Sequence, residues 1–338
     1  MRIVLDAMGS DNHPEPEIAA AIETNKRYGE EIILVGHQDH IKPRLAALGA
    51  SDQVHVVHAP EILKMTDKPS KSARKKALNS MAVGMDLLKS GQGDVFVTAG
   101  NTGGAMANGL FRLGRIRGVK RPALTGVIPV LNGHGMMLDL GANADCKPQY
   151  LLQFAIMGSL YAEKVYSIQN PRVGLLSNGE EAGKGNQLVK ETYPLLEASG
   201  LNFIGNVESK EFYLGEVDVV ICDGFTGNVF LKTSEAVADL LLTVLKQELT
   251  SNPITTLGAA LAKPAFRSVK KILDPREIGA VPLLGLDGLV FVGHGRSDAK
   301  ALVSAIGGAR QAVKVGLLPA LRTAVQEQIQ SISSAKTL

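Results

Sequence analysis

The chain has 338 residues, of which 45% are apolar and 20% are charged, so it can bury a core and is not disordered by composition. Lys and Arg outnumber Asp and Glu by 36 to 33, and a net charge of +3 is too small to indicate a nucleic-acid-binding protein. The 36 glycines exceed the usual share of about 7%, which indicates tight turns or close approach of backbone to a ligand. Because aromatic residues make up only 4%, stacking platforms for single-stranded nucleic acid are not expected.

The cysteines and the apolar runs bear on the compartment of the protein. Cys146 and Cys222 provide neither a disulfide framework nor a CxxC metal pair, so reduced thiols in the cytoplasm are expected. Asp6 follows only a short apolar run, which argues against a signal peptide. No apolar run reaches about 18 residues, so we expect no transmembrane helix.

Short apolar runs alternate with helical patterns along the chain. Nine runs are predicted strands: Ile3–Leu5, Ile32–Val35, Val54–Val57, Val95–Thr98, Leu124–Pro129, Met136–Asp139, Val173–Ser177, Phe203–Gly205 and Val217–Cys222. Helical periodicity covers five stretches: from about Ser72 to Gly91, 103–113, 148–163, 184–198 and 228–249. This alternation predicts an α/β fold with three layers, helices on both faces of a mostly parallel sheet. No linker interrupts residues 1–338, so a single domain is expected.

Residues 235–273 break this alternation. A helix from Glu235 leads into a segment bounded by Pro253 and Pro275, which predicts an inserted helical hairpin with an apolar tip. The residues predicted to contact a membrane are Leu257, Ala260, Leu261 and Lys263. An apolar tip beside basic residues can rest on an anionic bilayer surface. The alternative is a hairpin packed on its own core or on a second copy of the chain.

Six glycine-rich clusters follow predicted strands or precede predicted helices. They are residues 6–11, 98–105, 139–145, 176–186, 223–228 and 293–298. Since carboxyl ends of parallel strands share one edge of a sheet, we expect the clusters to line one ligand cleft. Thr102, Gly103 and Gly104 would place backbone N–H groups at a helix N-terminus, which favours an anion. The alternative there is a tight strand-to-helix turn.

Polar side chains in the other clusters are further candidates. Lys184 lies between two glycines, where a lysine can approach an anion, although a solvated loop lysine is the simpler alternative. His294, also between glycines, can donate to a ligand or serve the local structure. The chain has no P-loop motif, no clean dinucleotide fingerprint and no metal-ligand spacing, so neither cofactor nor metal is expected. The amides, backbone N–H groups, lysine and histidine of these clusters suit the binding of an anion and the polarisation of a carbonyl.

These clusters carry a resemblance to a known family. The motifs DAMGSD, TAGNTGGAM, RPAL, LDLGANADCKP, GEEAGKGN, NFIGNVE, DGFTGNV-LKT and HGRSDA, in this order, resemble the phosphate acyltransferase PlsX family over residues 1 to about 315. The resemblance implies that acyl-acyl carrier protein and inorganic phosphate are converted to acyl phosphate, which starts phospholipid synthesis. It also implies a homodimer, a peripheral association with the membrane, and a fold similar to phosphate acetyltransferases and isocitrate-dehydrogenase-like enzymes. Together with the thiols, it predicts a cytoplasmic protein at the membrane surface.

The match departs from the family pattern in two places. Ser10, Asn12 and His13 stand where the family has Gly, His and Ala, so no histidine is present at position 12 to take a role. LLSNGEE replaces LLNIGEE, which weakens any assignment to Ser177 or Asn178. The positions of Lys184 and Asn228 match intact.

The resemblance assigns roles to named residues. Lys184 is expected to bind phosphate and stabilise charge, and Asn228 to polarise the carbonyl or orient phosphate. The remaining residues assigned to phosphate and thioester binding are Asp6, Asn101, Thr102, Gly103, Gly104, Asn143, Glu180 and His294.

Two basic stretches, 64–76 and 112–121, suit docking of an acidic carrier protein, with a solvated helix face as the alternative. Two other functions stay open at this point. One is a short-chain phosphate acyltransferase acting on acyl-CoA. The other is a non-catalytic scaffold at the membrane.

Overall fold

The computed structural model describes residues 1–131 and 133–335, and it contains an 11-stranded sheet. The strands are β1 (Arg2–Asp6), β2 (Glu31–Gly36), β3 (Val54–His58), β4 (Val95–Thr98), β5 (Ala123–Val130), β6 (Gly133–Leu138), β7 (Val173–Leu176), β8 (Phe203–Val207), β9 (Val219–Ile221), β10 (Ala280–Leu284) and β11 (Val290–Gly293). Their order across the sheet is β3-β2-β1-β4-β11-β10-β5-β6-β9-β7-β8. All nine strands predicted from the sequence are confirmed.

Strands β10 and β11 were not predicted from the sequence. β10 contains Pro282, and a proline inside a short apolar run argues against a strand because it cannot donate to the ladder. In the structure Pro282 pairs with Phe291 of β11 in an antiparallel register. The sheet is mostly parallel, as predicted, and its antiparallel pairs are β11 with β10, β10 with β5, and β5 with β6.

Helices flank the sheet on both faces. They are α1 (Glu15–Tyr28), α2 (Gln38–Ala47), α3 (Pro69–Lys75), α4 (Ser80–Lys89), α5 (Thr102–Arg112), α6 (Pro148–Tyr166), α7 (Gln187–Glu197), α8 (Ser209–Leu214), α9 (Gly224–Leu249), α10 (Pro253–Leu261), α11 (Lys263–Ile272), α12 (Ala299–Lys314) and α13 (Leu317–Ala335). The single helix predicted from about Ser72 to Gly91 is wrong. The chain breaks before Asn79, whose side chain accepts a hydrogen bond from the backbone N–H of Ala82 and so starts a new helix.

The core explains the three layers. Ile3 and Leu5 of β1 point into one apolar cluster with α1, α6 and α12, whereas Val4 points to the opposite face, against α4. Alternate residues of a strand face opposite sides of the sheet, so an uninterrupted apolar strand needs helices on both sides. The predicted αβα architecture is confirmed.

The first turns of α9 are anchored to the domain, and the helix then leaves it. The ring of Phe230 stacks on Tyr213 with centroids 5.5 Å apart, and the hydroxyls of Tyr213 and Ser234 form a hydrogen bond. Beyond Ser234 the apolar side chains of α9 are largely exposed, and neither α10 nor α11 contains a buried residue. Helices α9 to α11 therefore cover the residues predicted as a hairpin, 235–273.

No single helix in the described part of the chain has both the length and the apolarity to cross a bilayer. The bent pair Ala299–Lys314 and Leu317–Ile329, which meet at 56°, passes that test only when taken together.

Candidate functional site

Loops after β1, β4 and β11 interlock at one edge of the sheet. The Thr98 hydroxyl donates to Asp6 Oδ2 at 2.7 Å and accepts from the Gly100 amide at 2.9 Å. The Asp11 amide donates to the Gly295 carbonyl at 2.7 Å. Asp6 has no exposed surface, and burial raises the pKa of its carboxyl. In this structure Asp6 therefore acts by holding the loops together rather than by direct contact with a substrate.

Asn101 shapes the N-terminus of α5. Its side-chain oxygen accepts from the Gly104 amide at 2.9 Å, while its side-chain nitrogen donates to the Met65 carbonyl at 2.9 Å. The amides of Thr102 and Gly103 find no acceptor among the residues that the structure describes. Both residues are partly exposed, so two N–H donors remain for a ligand at the positive end of the helix dipole.

A second set of loops follows β6, β7 and β9, and Asp139 is at its centre. The buried carboxylate of Asp139 accepts from the amides of Leu124, Ala142 and Asn143, and also from the side-chain nitrogen of Asn143. That nitrogen donates to the Pro122 carbonyl as well, at 2.7 Å. Asn143 therefore fixes the loop after β6, and its side-chain nitrogen is already engaged.

The same loop positions the start of α9. Asp223 caps the helix by accepting from the Thr226 amide and hydroxyl. At Gly227 a Cβ atom would lie 2.0 Å from the Asp139 carbonyl oxygen, so only glycine allows α9 to approach this closely. The next residue, Asn228, is exposed beside Gly141, whose φ of +125° also favours glycine. This packing presents the Asn228 amide at the edge of the sheet.

Lys184 lies in the loop between β7 and α7, next to the Asn186 side chain that caps α7. The nearby carboxylate of Glu180 pairs with Lys210 at 3.1 Å, not with Lys184. Glu180 therefore does not compensate the charge of Lys184. Lys184 is exposed and forms no salt bridge with any residue that the structure describes, which leaves its ammonium group for an anion.

Three glutamates near this loop have their carboxylate oxygens within 4.8 Å of one another: Glu180, Glu208 and Glu211. The ammonium group of Lys210 contacts all three at 3.0 to 3.4 Å. Lys210 therefore compensates their charge and ties the Glu180 loop to the start of α8.

The two sets of loops belong to strands that run in opposite senses. The three antiparallel pairs in the middle of the sheet reverse β6, β7 and β9 relative to β1, β4 and β11. In the sheet, β9 is the sixth strand along from β1. A twist of roughly 20–25° between neighbouring strands rotates the direction of β9 by roughly 120–150° relative to β1, which offsets most of that reversal. The carboxyl ends of the two sets of strands thus do not share one edge of a flat sheet, and the contact between the two sets of loops runs through α9.

The meeting point is His294. Its Nε2 lies 4.0 Å from Glu235 Oε1 on α9, two turns beyond Asn228. Burial lowers the pKa of His294, Glu235 raises it, and Arg296 and Lys232 lower it further. In its neutral form the imidazole can donate one hydrogen bond. Glu235 was missed in the sequence because no motif marks a residue that faces a distant loop, and Lys232 lies within the motif DGFTGNV-LKT but was given no role.

The cysteines are poorly suited to nucleophilic chemistry. Burial raises the pKa of Cys146 to about 12, and burial also raises the pKa of Cys222 well above its usual value. Since the thiolate is the reactive form, neither side chain offers a nucleophile near pH 7.

Comparisons with known proteins give the family. The family model described as "Fatty acid synthesis protein" matches residues 1–319. A phosphate acyltransferase from Elusimicrobium minutum is 48% identical over 329 residues, which is 97% of this chain and 96% of that protein. A second, from Pelotomaculum thermopropionicum, is 43% identical over 326 residues, covering 96% of this chain and 95% of that protein.

The chain belongs to the phosphate acyltransferase (PlsX) family. This membership confirms the resemblance seen in the glycine clusters and makes the protein an acyltransferase. A phosphotransacetylase structure from Streptococcus pyogenes is 18% identical with a TM-score of 0.61, and the match covers 98% of this chain and 94% of that one. That likeness confirms the expected fold.

The contact of α9 with the Asp139 backbone is testable in this acyltransferase. Gly227→Ala places a methyl group against a carbonyl oxygen, so we expect a loss of roughly 1–3 kcal/mol or more in the free energy of unfolding, and displacement of Asn228. Gly308→Ala in α12 is the matched control, because a Cβ there meets nothing within 4 Å. The control should gain up to about 1 kcal/mol. Equal stabilities of the two variants in urea titrations would contradict the packing argument.

Proposed function

We propose that the enzyme transfers a long-chain acyl group from acyl-acyl carrier protein to inorganic phosphate and so feeds phospholipid synthesis. The observation that carries the proposal is that Lys184, exposed and without a salt bridge to any described residue, follows β7, while the exposed Asn228 follows β9. β9, which leads into Asn228, and β7, which leads into Lys184, are parallel neighbours. A cation for phosphate and an amide for a carbonyl therefore follow adjacent strand ends.

The chemistry requires positive charge and hydrogen-bond donors. A phosphate oxygen attacks the thioester carbon, the C–O bond forms, the C–S bond breaks, and the carrier thiolate leaves and takes a proton. The nucleophile and the tetrahedral centre are both anionic, so Lys184 stabilises charge, and donors such as Asn228 stabilise the oxyanion. Phosphate is ionised at pH 7, and correct positioning supplies much of the remaining gain. The transfer involves no redox step, so we invoke no cofactor.

Replacement of Lys184 tests this assignment. Lys184→Ala is expected to lower kcat/KM for phosphate by roughly 10²–10³, because one preorganised charged donor is lost. Lys190→Ala, an exposed lysine on α7 one turn beyond the cap, is the control and should retain wild-type turnover. The measurement is phosphate-dependent release of carrier thiol. If Lys184→Ala turns over like the wild type at saturating phosphate, the assignment is wrong.

A basic surface for the carrier protein lies beside the N-terminus of α5. It comprises Lys71, Arg74 and Lys75 of α3, with the Arg74 guanidinium 5.1 Å from the Phe111 ring centre. Lys76 belongs to the same stretch but pairs with Asp67 at 2.6 Å, so it contributes little to docking. Pro69 at the start of α3 lies against Gly103, which brings the surface next to the free amides of α5. Charge complementarity supports docking of an acidic carrier here.

Salt and charge removal test the docking surface. Each exposed charge contributes up to about 1 kcal/mol to the free energy of binding. The double variant Lys71→Ala/Arg74→Ala should therefore raise KM for the acyl carrier by about 10-fold, with little change in kcat. The salt dependence of kcat/KM should weaken in the same variant. Lys26→Ala/Arg27→Ala, two exposed charges at the end of α1, is the matched control. An equal rise in KM in both variants would contradict local docking.

Helices α9 to α11 support a homodimer and a peripheral membrane contact. Leu241 and Leu245 of α9 are 63% and 40% exposed, and a second copy of the chain can cover them. At the tip, Leu257 and Leu261 are 65% and 78% exposed, Ala260 is exposed, and Lys263 follows. Such a tip suits an anionic bilayer surface.

With both cysteines free, we place the enzyme in the cytoplasm, at the membrane surface.

Vesicle flotation tests the tip. Leu257→Glu and Leu261→Glu each put a carboxylate where an apolar contact is proposed, so binding to vesicles with anionic lipid should fall several-fold. Leu131→Glu is the control, because Leu131 is 70% exposed but lies at the end of β5. Binding that survives both tip substitutions in folded protein would remove the membrane contact from the proposal.

A further inference from the structure

Residues 9–11, which we call the wedge, separate two loops of the candidate site. On one side, a Cβ at Gly9 would lie 2.9 Å from the Gly100 amide nitrogen, so the wedge packs directly against the loop that leads into α5. On the other side, the Asp11 amide donates to the Gly295 carbonyl at 2.7 Å, in the loop after β11. The placement of the wedge therefore sets the spacing between these two loops.

The middle residue of the wedge is held by a buried carboxyl group of α1. The Ser10 amide donates to Glu17 Oε1 at 3.0 Å, and Glu17 has no exposed surface. The Ser10 carbonyl accepts from Nδ1 of His13 at 2.6 Å, so both backbone polar groups of Ser10 are engaged. Because Ser10 lies between the two residues that touch the neighbouring loops, Glu17 controls the wedge at its centre.

Glu17 forms no salt bridge with any residue that the structure describes. Arg44 of α2 and Arg310 of α12, from helices that pack on α1, pair with other glutamates at 3.2 and 2.7 Å. The charged group that faces Glu17 is Asp6 of β1, which has no exposed surface either, and His13 acts on Asp6. Two buried carboxyl groups without a paired cation are costly to ionise together.

Asp6 is better placed than Glu17 to carry the charge. It accepts from the Thr98 hydroxyl at 2.7 Å and from the Met8 amide at 3.0 Å, whereas the hydrogen bond to Glu17 comes from the Ser10 amide. Glu17 Oε2 and the Ser10 hydroxyl oxygen are buried and have no partner among the described residues. Burial raises the pKa of Glu17 to about 7, the nearby Ser10 hydroxyl and amide lower it, and Asp6 raises it. A proton on Glu17 removes the second buried charge.

We propose that Glu17 is a positioning residue for the acyl transfer: its protonated carboxyl holds the wedge between the two loops, and its ionisation releases the wedge. The inference rests on the proposed function, because the wedge acts through the loop of His294 and through the free amides of α5. Once ionised, Glu17 is driven toward water by its own desolvation and by repulsion from Asp6. It then withdraws from the Ser10 amide, and the two loops lose the contact that spaces them.

A pH series with Glu17→Gln tests the proposal. Glutamine keeps an oxygen for the Ser10 amide and cannot ionise, so it represents the protonated form. The ratio of kcat/KM for phosphate, wild type over Glu17→Gln, should fall about 5- to 10-fold from pH 6 to pH 8, because about one-tenth of the carboxyls keep the proton one unit above the pKa. The ratio cancels the ionisation of phosphate, which is the same for both enzymes. Glu23→Gln, an exposed position on α1, is the matched control and should track the wild type.

Hydrogen exchange keeps the test independent of turnover. At pH 8 the Ser10 and Asp11 amides should exchange several-fold faster in the wild type than in Glu17→Gln, because the wedge is released. At pH 6 the two proteins should exchange alike. Glu17→Ala loses the acceptor at every pH, so its wedge should exchange fast at both; if that variant does not fold, the comparison with Glu17→Gln decides.

The outcomes separate the wedge from the reaction. A flat kinetic ratio between pH 6 and pH 8, or equal exchange of the wild type and Glu17→Gln at pH 8, would overturn the role of Glu17 while leaving the proposed function in place. A profile of Glu23→Gln that follows Glu17→Gln instead of the wild type would also overturn it. If the wild type forms no acyl phosphate from a long-chain donor, the proposed function fails, and hydrogen exchange alone then decides whether Glu17 holds the wedge.

Discussion

The close contact between the start of α9 and the loop after β6 is the constraint on which the site depends. Gly227 lies so near the Asp139 carbonyl that any Cβ would overlap it, and the Asp139 carboxylate gathers three amides and the Asn143 side chain. A fully buried carboxylate is costly unless such donors satisfy it. The same contact therefore stabilises the loop and directs Asn228 outward, where it can meet a substrate.

Helix α9 divides into two parts that serve different purposes. Up to Ser234 it is fastened to the domain through Phe230 and Tyr213, which gives the Asn228 end a rigid position. Beyond that point its apolar side chains remain largely exposed and lead to the tip at Leu257 and Leu261. Large exposed apolar surfaces mark interaction sites. One helix thus links the Asn228 end of the candidate site to a large exposed apolar surface.

Much of the fold was predictable because apolar strands and helical periodicity are local properties. Nine strands, the αβα layers and the glycine loops followed from the order of residue types. Strand β10 was missed because of Pro282, and the single helix before Gly91 was wrong because Asn79 starts a second helix. For the site, the positions of Lys184 and Asn228 came from the family motifs. The pairing of Glu180 with Lys210 depends on α8, which no local pattern connects to that loop.

The sequence by itself determined the fold class, the family and the positions of the glycine-rich loops, because turn residues and motif order are local properties of the chain. Only the tertiary structure decided how those loops meet. Three antiparallel pairs reverse the strand direction in one half of the sheet, and the twist of the sheet offsets most of that reversal. As a result, His294 faces Glu235 on α9. The reason is physical: strand order and twist are set by packing between elements distant in the chain, and no local pattern of residues encodes the sum of those rotations.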